Sequence, residues 1–300
     1  MMSKRKILCW LILILALIFV ACAPELDQKV SCGPSTYAQN FKTDVAWIVL
    51  EWNCRPMGWG SGFLANKEKG IFRTNKHVSD MFNSLGRGSH KVFFNGRVYN
   101  AEIVKTPLLV DAALIRITDP FDSSEFPEPA KIASEKAMVD DTFFLEGFHV
   151  HPYRIREVDM ADGYDFPLVP IFRDYYKFST MNLDKEQEVV FEKLEAKVVV
   201  LDKKINLQDA DRSFVQQIRN DTNLYIEVRT LKDHRFSFGG LSGTVARNSK
   251  LEIAGIVTAE TQRLEDVAEL DHGMTLKKVV FDTIMITPIG ALEDLDQYLK

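Results

Sequence analysis

Phe238-Gly239-Gly240-Leu241-Ser242-Gly243-Thr244-Val245 is the stretch on which the reading of this chain turns. A serine set among glycines, after a polar loop and ahead of an apolar run, builds no core. Glycines at that density permit a tight turn, which exposes a hydroxyl and leaves backbone N–H groups beside it. A seryl hydroxyl acts as a nucleophile only next to a base that a carboxylate holds in place. Two upstream segments carry such groups. Ile71-Phe72-Arg73-Thr74-Asn75-Lys76-His77-Val78 sets a histidine just past a strand end. Val110-Asp111-Ala112-Ala113-Leu114-Ile115-Arg116-Ile117 sets an aspartate at the head of an apolar strand. Asp119 is a poorer rival, because it precedes a proline in a loop.

Around these segments the chain is a series of short strand-like runs. They fall at Val45–Trp52, Gly60–Ala65, Ile71–Thr74, Lys91–Phe94, Arg97–Lys105 and Ala112–Ile117. A proline-rich acidic connection follows from Asp119 to Pro129, and strand-like runs resume at Thr142–Gly147, Tyr225–Thr230, Leu251–Thr258 and Val279–Ile286. Leu292, Leu295 and Leu299 have helical spacing, which predicts a closing helix over Gly290–Leu299. Many short strands and few helices predict an all-β fold of two antiparallel barrels. The stretch Pro152–Thr222 fits this plan least. Glu188–Leu201 is either a charged helix or a long strand, Asp209–Arg219 reads as a helix, and part of the stretch reads as a mixed insertion on the second barrel.

Gly60-Ser61-Gly62-Phe63, Thr74-Asn75-Lys76-His77-Val78, Asp111-Ala112-Ala113-Leu114-Ile115 and Gly240-Leu241-Ser242-Gly243, in that order, resemble the motifs of the chymotrypsin-like serine proteases. The likeness is strongest to the bacterial Do-type (high-temperature-requirement) protease domain and covers roughly residues 44–300. It implies two six-stranded barrels, at about 44–120 and 138–300, with no peptide-binding PDZ module in the 58 residues after Ser242. It further implies His77 as general base, Asp111 as its orienting partner, Ser242 as nucleophile, and the N–H groups of Gly240 and Ser242 as an oxyanion hole. Phe236 would lie at the base of the primary specificity pocket, with Thr258, Ala259 and Glu260 along its wall. The expected activity is an endopeptidase acting through an acyl-enzyme on protein or peptide substrates, with no cofactor and no metal. Two departures stand out. Thr244 and Val245 replace the family's Gly-Pro, and Leu241 stands where trypsin-type enzymes carry an aspartate that pairs with a newly cut N-terminus. Thr244 and Val245, together with the large insertion within 152–222, keep a second reading in view, a catalytically inactive binding or scaffold protein that docks a partner there. An esterase using the same three residues is a third.

The N-terminus sets the expected compartment. Lys4, Arg5 and Lys6 precede an apolar run of 15 residues from Ile7 to Ala21, short for a membrane span. Phe19-Val20-Ala21-Cys22 resembles a bacterial lipobox, which implies a signal peptide over 1–21, acyl groups on Cys22 and a tether over 22–43. Two or more acyl chains anchor durably. The expected location is therefore the bacterial cell envelope, lipid-anchored to a membrane and facing the periplasm or exterior. Loss of the signal removes three of the 37 basic residues and none of the 42 acidic ones, leaving 34 − 42 = −8. That charge, with no basic run in the body of the chain, argues against nucleic acid. Cys32 and Cys54 remain, either as a disulfide or as two buried thiols. His149 and His151 have the His-x-His spacing of metal ligands, but no third ligand lies near them in the sequence. His90, His234 and His272 sit in polar surroundings and read as surface residues.

Overall fold

A computed structural model describes residues 32–80, 88–152, 167–176, 187–204, 223–234, 237–270 and 274–300. The described strands between Val45 and Ile117 form one closed antiparallel barrel. Its strands are β1 (Val45–Trp52), β2 (Arg55–Asn66), β3 (Ile71–Thr74), β4 (Ser89–Phe94), β5 (Arg97–Lys105) and β6 (Ala113–Ile117), and the ring runs β1-β2-β3-β6-β5-β4. β1 shows why an unbroken apolar run makes a strand here. Ala46 and Ile48 point into the barrel with Leu64, Phe72, Val92 and Ile115, while Val45, Trp47 and Val49 point outward into a second core. Both faces are buried, so no polar alternation is required.

The second half contributes β7 (Thr142–Pro152), β8 (Leu168–Val169), β9 (Gln187–Lys203), β10 (Tyr225–His234), β11 (Val245–Arg247), β12 (Ile253–Leu270) and β13 (Met274–Pro288). Pairing runs β10-β13-β12-β11-β7-β9, and β9 also pairs with β10, so these six antiparallel strands close a second ring with β8 outside it. Phe143, Leu145, Ala196, Val198, Val228, Val257 and Ile284 fill its interior. Between the barrels lies an aromatic layer in which Trp47, Phe148 and Phe191 meet edge to face, with Trp47–Phe148 and Phe148–Phe191 centroids 6.4 and 5.0 Å apart. Arg247 of β11 forks onto both carboxylate oxygens of Asp44, at 2.6 and 2.7 Å, and so ties the second barrel to the entry of the first.

Several expectations are refined. Residues 187–203 are a barrel strand and neither a helix nor an insertion. Their apolar positions fit no single period because Val189 and Phe191 join the inter-barrel core, whereas Ala196 and Val198 face the second barrel's interior. The expected helix at 209–219 and most of the expected insertion lie outside the described residues. β12 and β13 run past their apolar segments into a polar hairpin, where Glu265 faces Lys278 and Asp266 faces Lys277 across the ladder. The closing helix is short, a 3₁₀ turn at Ile289–Leu292 and one α-turn at Glu293–Asp296, yet Leu292 and Leu295 are buried as the spacing required. Arg73 in β3 pairs with Asp296 and docks that turn on the first barrel.

Cys32 and Cys54 form a disulfide, with Cα atoms 5.1 Å apart, that fastens the segment before β1 to the β1–β2 turn. It closes a loop of 22 residues. Replacing both cysteines by serine is expected to lower the unfolding free energy by about 3 kcal/mol. Denaturant melts of the two proteins check this, and an unchanged midpoint would contradict it.

Candidate active site

The site is built where the two barrels meet. β3 ends at Thr74, and a single helical turn, Lys76–Asp80, carries His77 past the rim of the first barrel. Asp111 precedes β6, the neighbour of β3 in the ring. Its two carboxylate oxygens take different donors. Oδ2 lies 2.6 Å from His77 Nδ1, and Oδ1 accepts the His77 backbone N–H at 2.9 Å. With Nδ1 bonded to the carboxylate, Nε2 is the ring nitrogen on the side away from Asp111. The imidazole is 40% exposed and the carboxylate 13%, so the base is reachable and its partner is sheltered.

Asn75 braces the carboxylate's own backbone. Its Nδ2 donates to Asp111 O at 2.9 Å and approaches Thr258 Oγ1 at 3.4 Å. Thr258 therefore sits beneath this pair. It is 3% exposed, and its hydroxyl is engaged with Thr287 Oγ1 at 2.6 Å and Ile256 O at 3.1 Å. The clue in the sequence was its position in an apolar strand, where a threonine needs an internal partner.

The helical turn that bears His77 is clamped from behind. His90 was expected at the surface, but it is 7% exposed and its Nε2–H donates to Ser79 O at 2.7 Å. Burial holds the His90 imidazole below the ordinary histidine value of 6.5, against the opposing pulls of the Ser79 carbonyl and Asp80. Because its folded pKa is depressed, the unfolded chain takes the proton first as pH falls. Its contribution to stability is thus present above pH 6.5 and is lost below it. His90→Gln is expected to flatten the stability–pH slope on that acid side, as read from Tm across the pH series. An unchanged slope would overturn the assignment.

Ser242 reaches this junction from the second barrel. Ser61 N–H donates to Ser242 O at 2.7 Å. Gly60 fills the gap beside it: a Cβ there would lie 2.8 Å from Ser242 O and 2.5 Å from a methyl of Val78, the residue after His77. The serine turn and the histidine turn are therefore packed onto the same strand, β2. Gly240 (φ +109°) and Gly243 (φ +87°) take conformations that side-chain-bearing residues avoid. Leu241 N–H donates to Phe238 O, Gly243 N–H to Val257 O and Thr244 N–H to Leu241 O, each near 2.9 Å. Among the described residues no acceptor takes the N–H of Gly240 or of Ser242. Two such donors on one turn can stabilise a developing oxyanion.

Two further residues hold the turn. Ser61 Oγ lies 3.1 Å from Gly240 O and 3.0 Å from Phe148 O, and accepts Phe148 N–H at 2.9 Å. Glu260 is tied to the loop before the serine: one carboxylate oxygen accepts Phe238 N–H at 2.6 Å and the other accepts the Ser237 hydroxyl. Ala259 is half-buried beside it, and Phe236 lies outside the described residues. In the sequence Ser61 is legible only as part of a motif, because its partners, Phe148 and Gly240, lie 87 and 179 residues away.

The structure also gathers a group that the sequence left incomplete. His149 and His151 share one face of β7, and Glu192 of β9 meets them there. All three are buried.

Two closed six-stranded rings carry His77 and Asp111 on the first and the Ser242 turn on the second. The fold is the chymotrypsin-like one. Similar solved structures include the Rv3671c protease of M. tuberculosis in its inactive form, at 16% identity over 84% of this chain and 86% of that one, TM-score 0.46. A serine-to-alanine mutant of Rv3671c gives 15% identity over 85% and 86%, TM-score 0.47. The serine endoprotease of Yersinia pestis gives 16% identity over 85% of this chain and 62% of its own, TM-score 0.46. No family model matches the chain, and no curated protein does.

Proposed function

We propose that this chain is a serine endopeptidase that cleaves peptide bonds through an acyl-enzyme. The observation that carries the reading is the His77–Asp111 pair, bonded at both the ring and the backbone, on the same strand support as the Ser242 turn. In the proposed cycle His77 Nε2 takes the Ser242 hydroxyl proton as the oxygen attacks the substrate carbonyl. Asp111 holds the tautomer and stabilises the imidazolium so formed. The N–H groups of Gly240 and Ser242 receive the oxyanion, each worth about 10²–10³ in rate. The imidazolium then protonates the leaving amine, and water, activated by the same base, releases the acid.

The lipobox-like Cys22 and the charged-then-apolar run before it support a lipid-anchored enzyme on the outer side of a bacterial membrane. That part of the proposal is tested by mass spectrometry of the mature N-terminus, which should start at a doubly or triply acylated Cys22. The catalytic part is tested with a fluorophosphonate, which labels only an activated serine. Wild type should label once, at Ser242, and the labelled peptide identifies the site.

A further inference from the structure

The second barrel holds a buried three-donor cluster that the proposed chemistry does not use. His149 and His151, two apart on β7, point to the same side of the strand. Glu192 stands on β9 opposite Gly147, which has no side chain to compete for the space. His149 is 0%, His151 2% and Glu192 0% exposed. The two rings are nearly perpendicular, at 72°. They bring their Nε2 atoms within 2.6 Å of each other, and the same oxygen of Glu192 contacts His149 Nε2 and lies 3.7 Å from His151 Nε2.

If His149 Nε2 carries a hydrogen, the Glu192 carboxylate and the lone pair of His151 Nε2 must share it. If that nitrogen accepts from His151, Glu192 must be a neutral acid in order to donate. One divalent cation at the convergence point meets all three lone pairs at once. Two imidazoles and one carboxylate form a donor set that zinc takes, with Zn–N of about 2.0–2.1 Å. Tetrahedral geometry sets ligand atoms about 3.3 Å apart, so the side chains need spread by no more than about 1 Å to admit the ion.

We infer that His149, His151 and Glu192 form a buried site for a divalent transition-metal ion, zinc in the first instance. The site lies directly behind the serine turn. Val150 N–H donates to Gly239 O at 3.4 Å, and a Cβ on Gly240 would come 2.9 Å from His149 Cα. An ion there braces β7 and β9 against the backbone that carries the Gly240 N–H. Its role is structural, since the cluster is closed to substrate.

The test uses the full chain, purified in detergent, stripped by chelator under mildly denaturing conditions, and refolded with Zn²⁺ or Co²⁺ alone. Wild type should retain one ion per chain after gel filtration, and Co²⁺ should give the visible bands of a low-coordinate nitrogen–oxygen site. His149→Gln/His151→Gln should retain none. Glu192→Gln, which keeps both imidazoles, should bind at least about 100-fold more weakly, since even outer-shell losses cost 10–100-fold. If the double variant does not refold, the wild type still decides: its Tm should rise with Zn²⁺ and fall with chelator. A wild type that retains no ion, or a Tm indifferent to Zn²⁺, overturns the proposal and leaves a proton-bridged cluster. Ion retention by the variants overturns it as well. None of these readouts depends on peptide hydrolysis.

Discussion

Ser242→Ala and His77→Ala are each expected to abolish fluorophosphonate labelling and to lower hydrolysis of peptide and ester substrates by about 10⁴- to 10⁶-fold. The size follows from the way the groups depend on one another. Without the His77 imidazole the hydroxyl keeps its proton at neutral pH, and without the hydroxyl the imidazole has nothing to deprotonate but water. The double variant should therefore be no slower than either single one. Neither change disturbs the frame. His77 is 40% exposed, and the link from Ser242 to β2 runs through its backbone carbonyl, so both variants should melt near the wild-type Tm. Asp111→Asn gives a graded control. It keeps an oxygen for the His77 backbone N–H but weakens the hold on Nδ1, and it should cost about 10⁴-fold. Labelling of the wild type that persists in Ser242→Ala would place the nucleophile elsewhere. A folded wild type that never labels would favour the binding-protein reading that Thr244, Val245 and the 152–222 insertion keep open.

Gly243→Ala carries the second large effect, and it acts on folding and activity together. At φ +87° an alanine is strained before any neighbour is considered. Its Cβ would then lie 2.1 Å from the backbone oxygen of Ser61 and 2.4 Å from Thr74 Oγ1. Neither neighbour can give way cheaply. Ser61 is in the middle of β2, and Thr74 Oγ1 is bonded to Ser61 O at 2.7 Å, so both belong to the frame that joins the barrels. We expect a loss of more than about 4 kcal/mol in unfolding free energy. Hydrolysis should fall at least about 10²-fold in whatever fraction still folds, because the turn must move and take the Ser242 N–H with it. Chemical denaturation and burst titration of the folded fraction measure the two effects separately. Wild-type stability and rate in this variant would show that the serine turn is not seated on Ser61.

How far the sequence could be read depended on the distance between partners. His77, Asp111 and Ser242 were each visible because each occupies a local setting, a strand end, a strand head and a glycine turn, that its chemistry requires. β1, β3 and β5 were legible residue for residue, since each is one contiguous strand-forming run, whereas β2 starts five residues before the run that its glycines mark. β9 was ambiguous because its two halves face different cores, and β11 is only three residues long, too short to show a period. The outer halves of β12 and β13 were missed because cross-strand ion pairs there replace apolar alternation.

The chain by itself, then, determined the order of the three candidate catalytic groups, the all-β class and the character of the N-terminus, all of which are local patterns of residue type. Only the tertiary structure decided which groups meet. It paired His77 with Asp111 across 34 residues and Cys32 with Cys54 across 22. It turned His90 and Thr258 inward and spent Glu260 on the loop before the serine. It also brought Glu192 across 43 residues to His149. The physical reason is that antiparallel pairing and barrel closure juxtapose residues by register, and register is set by which faces are buried and not by separation along the chain.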